Sequence, residues 1–146
     1  MLYLNREHLE IMLAHARTEL PNEACGLIAG TRDGEDCTVE RVYCLTNTDH
    51  SDEHFSIDPR EQLTAIREMR AQGLVPLGNW HSHPESPSRP SAEDRRLARD
   101  PEARYLILSL MDAQRPVLHT FRVRSGVSFQ EKIKIRGEAA VGIVAE

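Results

Sequence analysis

The chain has 146 residues, with 18 Lys+Arg against 23 Asp+Glu and a formal net charge of −5. At 40% hydrophobic and 28% charged it has the composition of a soluble globular protein, long enough to bury a core without disulfides or metals as staples. This balance excludes the overall basic footprint of nucleic-acid binding, and no apolar run approaches the ~20 residues of a membrane-spanning helix. The N-terminal stretch lacks the apolar core of a signal peptide. Cys25, Cys37 and Cys44 show no CxxC spacing, so neither a disulfide framework nor a zinc ribbon is expected. A reducing, cytoplasmic location follows as the expectation.

Residues 2–4 read as a short strand, and Asn5 as the N-cap of a helix. In that helix Leu9, Met12, Leu13, Ala16 and Leu20 follow the stripe of a face packed on a core, with His8 and His15 as solvated flanks. Pro21-Asn22 breaks it. Residues 23–30 are apolar and glycine-bounded, as a buried strand is, and Glu23 at the entrance reads first as a strand-end residue facing water. Asp33-Gly34 predicts a hairpin turn into a strand over about 36–46. Residues 47–54 are polar and turn-rich, so His50 and His54 are expected in a solvated loop. A brief strand is expected at 55–57. Asp58-Pro59 then starts a helix whose apolar side is Leu63, Ile66 and Met69, stopped near Gly73. Val75–Trp80 leads as a strand into His81 and His83. A loop with Pro84, Pro87 and Pro90 follows, then a helix from Ser91 to about Arg99. Tyr105–Met111 fits a central strand buried on both faces. Val117–Val123 alternates, with His119 as a hydrogen-bonded core histidine, and Val127, Phe129, Ile133 and Ile135 predict one last strand. The whole reads as one compact α/β domain.

The chemistry is concentrated between Trp80 and Asp94. If His81 and His83 end a strand, their i, i+2 spacing puts both rings on one face. Pro84 removes a backbone donor and helps to stop that strand. Ser91 and Asp94 together resemble a capping box, and this reading competes with a ligand role for Asp94. Two imidazoles, one carboxylate and one vacancy form the donor set of a catalytic zinc, since a structural site fills the fourth position with protein. Cys25 lies in an apolar run that disfavours its thiolate, which makes it a packed cysteine and no nucleophile.

His81-x-His83, seven residues, Ser91, two residues, Asp94 resembles the signature of the JAMM/MPN+ metalloproteases. Glu23, in Asn-Glu-Ala-Cys-Gly-Leu-Ile, resembles that family's separate glutamate motif. The resemblance extends to Phe55–Pro59 with its helix and to Tyr105–Leu110, and so covers most of the chain. It implies a mixed α/β fold of cytidine-deaminase-like type. A central, mostly antiparallel sheet is flanked by helices, in a single domain over 1–146 with 137–146 as a tail. It also implies one catalytic Zn2+ held by His81, His83 and Asp94, with water in the open position. Glu23 becomes the general base and Ser91 the group that steadies the oxyanion, which reverses the solvent-facing reading of Glu23. The implied reaction is hydrolysis of the amide after the Gly-Gly tail of ubiquitin or a ubiquitin-like protein. Small free-standing bacterial-type members resemble this chain most, and they imply a ubiquitin-like sulfur-carrier protein as the partner. No nucleic acid or membrane partner is expected, and the oligomeric state stays open. Three alternatives stand beside this reading: a non-catalytic interaction scaffold, a role associated with DNA repair, and zinc-dependent hydrolysis of small peptides.

Overall fold

The computed structural model describes residues 1–137 and 144–145. Strand β1 (Leu2–Asn5) points Leu2 and Leu4 inward and runs straight into helix α1 (Arg6–Glu19). Strands β2 (Cys25–Asp33) and β3 (Asp36–Leu45) form the hairpin expected at Gly34, whose φ of 60° is a left-handed value glycine adopts without strain. Helix α2 (Pro59–Ala71) starts at Asp58, whose Oδ1 accepts from Arg60 N at 2.9 Å and Glu61 N at 3.0 Å. Strand β4 (Val75–His83) is followed by the short helix α3 (Ala92–Leu97) and strand β5 (Arg104–Ser109). Strands β6 (Val117–Arg124), β7 (Val127–Glu131), β8 (Ile133–Arg136) and β9 (Val144–Ala145) complete the order.

Among the described residues the strands join in one mixed sheet, β7-β6-β5-β4-β2-β3-β1-β8, with β9 added beside β6. Antiparallel pairing joins β2 to β3 and β4, and β6 to β5 and β7. Pairing is parallel at β1–β3, β1–β8, β4–β5 and β6–β9. Parallel neighbours need a crossover. The crossover between β4 and β5 carries the proline-rich loop and α3.

The two faces of the sheet bury different helices. Ile28 on one face joins Leu9, Met12 and Ala16 of α1, together with Trp80, Leu106 and Leu108. Leu27 and Ala29 on the other face join Ala65 and Met69 of α2. Trp80 is fully buried, sits edge-on to His15, and donates through Nε1 to Tyr43 O at 3.0 Å. The indole crosses Gly26, where an added Cβ would lie 2.4 Å from Nε1 and closer still to the Tyr43 carbonyl, so only glycine fits there.

Several expectations need correction. His8 is 6% exposed and accepts through Nδ1 from Asn5 N at 3.0 Å, because it closes the N-terminus of α1 from within. Leu20 lies past the end of α1 and is exposed. In α2 the buried side is Ala65 and Met69, which join Leu27, Ala29 and Leu45, with Ile66 half-buried beside them. Leu63 is 49% exposed because it lies off the face that meets the sheet. The strand expected at 55–57 shrinks to one bridge between Ile57 and Asn47. The last predicted strand is two: β7 pairs with β6, β8 pairs with β1, and Lys132 between them accepts from Leu2 N at 3.0 Å. A single residue thus joins opposite ends of the strand order, which requires the sheet to curl. At this seam the buried Arg104 guanidinium donates from Nε to Glu131 Oε1 at 3.1 Å. Of the expected tail, Val144 and Ala145 pair with β6, and 138–143 and 146 lie outside the described residues.

Candidate active site

Strand β4 delivers His81 and His83 on the face opposite Trp80. Both are buried, and their Nε2 atoms stand 3.0 Å apart. Phe55 stacks on the His81 ring with centroids 4.6 Å apart and so shields that face from water. The outer nitrogen of His83, Nδ1, lies 2.9 Å from Pro87 O, a contact that needs a proton on Nδ1 and leaves Nε2 with its lone pair in the neutral ring. Among the described residues His81 Nδ1 is buried without a hydrogen-bond partner.

Helix α3 brings the acid. Ser91 is its N-cap: Asp94 N donates to Ser91 Oγ at 3.0 Å, and Ser91 N donates to Asp94 Oδ2 at 2.9 Å. The same Oδ2 lies 3.3 Å from His81 Nε2 and 3.2 Å from His83 Nε2. Capping and an approach to both histidines, which looked exclusive from sequence, are therefore compatible. The Ser91 hydroxyl accepts from Asp94 and makes no donor contact among the described residues, so its hydrogen is free for another acceptor.

Glu23 comes from the entrance of β2 and is 3% exposed, contrary to its first reading as a solvent-facing residue. Cys25 pairs with His81 in the β2–β4 register, which sets Glu23 beside the end of β4. Its main chain is clamped: Glu23 N donates to Ser51 O at 2.7 Å and Asn47 Nδ2 donates to Glu23 O at 3.0 Å. Next to it, Ala24 N donates to Ser82 Oγ at 2.8 Å. The Glu23 carboxylate places an oxygen within 4.8 Å of ligand atoms of both His81 and His83, and these three buried residues form a group that could hold a metal ion. Its Oε1 is buried without a partner among the described residues.

The two carboxylates are tuned in opposite directions. Burial pushes the Glu23 carboxyl up to about 8, against the attraction of His83. Burial also acts to raise Asp94, but its contacts with His81 and His83 outweigh this and hold it well below the usual carboxylate range. Burial lowers His81. His83 is raised: burial opposes the shift, but the contacts with Asp94 and Pro87 O prevail.

Two contributors were not singled out from sequence. Asn47, 5% exposed, donates to Glu23 O and to His54 O at 3.1 Å, and accepts through Oδ1 from Asp49 N at 3.0 Å and Ser56 N at 3.1 Å. It ties Glu23 to the loop that carries Phe55. Its only sequence signal is an Asn opening a turn in a polar loop. Ser82, between the two histidines, gave none.

The other candidates stay outside the site. His50 and His54 are exposed in the loop, and His54 pairs with Asp49 at 2.8 Å. His15, expected to be solvated, is half-buried, its Nε2 3.4 Å from Leu45 O. His119 Nδ1 lies 3.0 Å from Ser88 O, a structural role. Cys25 is fully buried, and burial pushes its thiol up to about 12, so it offers no thiolate. No described helix is long and apolar enough to cross a membrane.

The model of a family described as prokaryotic homologs of the JAB domain matches residues 5–124. A protein of Mycobacterium tuberculosis named CysO-cysteine peptidase is 34% identical over 135 residues, covering 92% of this chain and 91% of that protein. A desampylase of Haloferax volcanii is 34% identical over 113 residues, covering 74% of this chain and 80% of that one. The solution structure of protein DSY2949 from Desulfitobacterium hafniense superposes with a TM-score of 0.88 at 56% identity, over 94% of both chains.

Proposed function

The chain belongs to the prokaryotic homologs of the JAB domain, and on that premise we propose that it is a zinc-dependent peptidase or isopeptidase. Its substrate is the amide bond that follows the C-terminal Gly-Gly tail of a ubiquitin-like, sulfur-carrier protein. One observation carries the proposal: three nitrogen and oxygen donors, His81 Nε2, His83 Nε2 and Asp94 Oδ2, converge at mutual distances of 3.0, 3.2 and 3.3 Å. Donors ~2.0–2.2 Å from a tetrahedral zinc lie roughly 3.3 Å apart, so the set fits this ion without rearrangement, and three protein donors leave one position open. The unpartnered Glu23 Oε1 beside them supports a catalytic rather than a structural centre.

In this reading His81, His83 and Asp94 hold the metal, and the Pro87 carbonyl keeps His83 in the tautomer that offers Nε2. When bound, zinc supplies Lewis acidity: it brings the pKa of water towards ~7, polarises the scissile carbonyl and favours the ionised Glu23 carboxylate. Glu23 takes the proton of the attacking water and returns one to the departing amine nitrogen. Ser91 donates its free hydroxyl hydrogen to the carbonyl oxygen as that atom gains charge. Phe55 covers His81 and keeps bulk water away. The names of the two relatives, a CysO-cysteine peptidase and a desampylase, support a carrier-protein substrate.

The test is incubation of the zinc-loaded protein with a ubiquitin-like carrier extended beyond Gly-Gly, followed by mass spectrometry. The expected product is the carrier ending in Gly-Gly, and its formation stops on chelation. Cleavage that persists after complete metal removal would overturn the mechanism.

A further inference from the structure

Two depressions adjoin the histidine pair, and they differ in chemistry. One is bounded by His81 and Asp94 and is mainly apolar, with Phe55, Leu97, Tyr105 and Ile107 in its walls. The other is bounded by His83 and Ser91, and among the described residues its one ionisable side chain apart from His83 is Arg89. The Arg89 guanidinium is exposed and has no hydrogen bond or ion pair among the described residues. In contrast, Arg104 and Arg122 bind Glu131, Glu35 and Glu102.

An exposed arginine in a loop is ordinarily just solvated, but the backbone that presents this one is fixed on both sides. Ser88 before it is buried; its Oγ donates to Ile107 O at 2.5 Å and accepts from His119 N at 3.1 Å. The Ser88 carbonyl also holds His119 Nδ1. Pro90 follows Arg89 and restricts it further. Arg89 N donates to Pro87 O at 2.9 Å, and this same carbonyl oxygen orients His83. One acceptor therefore sets the position of a proposed zinc ligand and of the arginine together. His119, which has no part in the reaction, gains a purpose as the anchor of this loop.

The chemistry of the departing amine decides what such an arginine can read. If the amine is a lysine side chain of a protein, no carboxylate lies near the scissile nitrogen. If it is a single C-terminal amino acid, its free α-carboxylate lies two bonds away, and a guanidinium fork matches a carboxylate in a bidentate way. We propose that Arg89 binds the free α-carboxylate of a single amino acid on the amine side of the scissile bond. The depression beside His83 and Ser91 then receives that amino acid, and Arg89 sets the preference for a free carboxylate there. The proposal rests on the hydrolase reading given above.

The experiment uses a ubiquitin-like carrier prepared by ligation to end in Gly-Gly-Ala, once with a free carboxylate and once with a carboxamide. A charge-assisted hydrogen-bonded pair predicts that zinc-loaded wild type prefers the free acid about tenfold or more in kcat/KM. Arg89→Gln brings the acid-to-amide ratio close to one, and Arg89→Lys, which keeps the charge without the fork, retains part of it. Equal processing of the two substrates by wild type, or an undiminished preference in Arg89→Gln, overturns this proposal and leaves the hydrolase reading intact. Failure of the wild type to cleave either substrate overturns both.

Discussion

Asp94 and Glu23 face the same pair of imidazoles from two different parts of the molecule, and they are built in opposite ways. Asp94 stands in the first turn of α3, with Oδ2 accepting from one backbone N–H and lying 3.3 and 3.2 Å from the two ring nitrogens. It is half-buried and stays ionised. Glu23 sits on an irregular segment before β2, with its main chain clamped and its Oε1 unpartnered. It is dry and holds its proton to about 8. One site therefore contains two carboxyl groups whose environments shift them in opposite directions, which suits the proposed roles of Asp94 as a holder of positive charge and Glu23 as a proton carrier.

Removing the holder should cost most. Asp94→Ala takes away one of the three proposed donors, so zinc content measured by elemental analysis should fall to background, and turnover with it. Glu23→Gln keeps the shape and removes the proton carrier. The expected result is a kcat lowered by about 10²–10⁴-fold with zinc still bound. If Glu23→Gln loses metal while Asp94→Ala retains it, the two roles are interchanged.

The clamp is the next point of attack. Asn47→Ala removes four hydrogen bonds, one to the buried Glu23 carbonyl and three to the main chain of Asp49, His54 and Ser56 in the loop. It should destabilise the protein by about 1–3 kcal/mol in denaturant titration. Because Glu23 and the Phe55 loop are then released together, kcat should fall well before KM rises. Loss of stability with an unchanged kcat would reduce Asn47 to a packing residue.

The smallest effect sharpens the comparison through pH. In metal-free protein the folded pKa of Glu23 lies above its unfolded value of ~4.3. Its contribution is fully present below ~4.3 and is lost as pH rises through about 8. Asp94 has the opposite sign, because its depressed folded pKa gives stability above ~3.9 that is lost as pH falls. Between pH ~5 and ~8 metal-free wild type should therefore lose stability relative to Glu23→Gln, as seen in paired thermal melts. Parallel curves would mean that Glu23 is ionised throughout.

The legibility of these two carboxylates from sequence differs for a physical reason. The Asp94 side is local: period-two spacing places His81 and His83, a proline stops the strand, and the Ser91–Asp94 pair caps a helix, all within one continuous stretch. The Glu23 side is tertiary. Nothing around residue 23 reveals that β2 pairs with β4 so as to bring it beside His83, and only the resemblance to a known motif supplied that. Asn47 was invisible because its four hydrogen bonds all go to backbone groups that sequence does not locate. The division of 127–136 into β7 and β8 was hidden for the same reason: alternation predicts strand, but the partner strand is chosen by the curl of the sheet. His8 misled because a cap closed from within looks the same on paper as a solvated flank.

Trp80 gives the molecule a built-in optical gauge. It is the chain's one tryptophan, fully buried, bonded across Gly26 to Tyr43 O, and adjacent in sequence to His81. Its emission therefore reports on a single place, where β3, β2 and β4 meet directly behind the histidine pair. A shift to longer wavelength signals that this seam has opened, and a change in intensity on titrating metal reports an event one residue away, with no label attached to the protein.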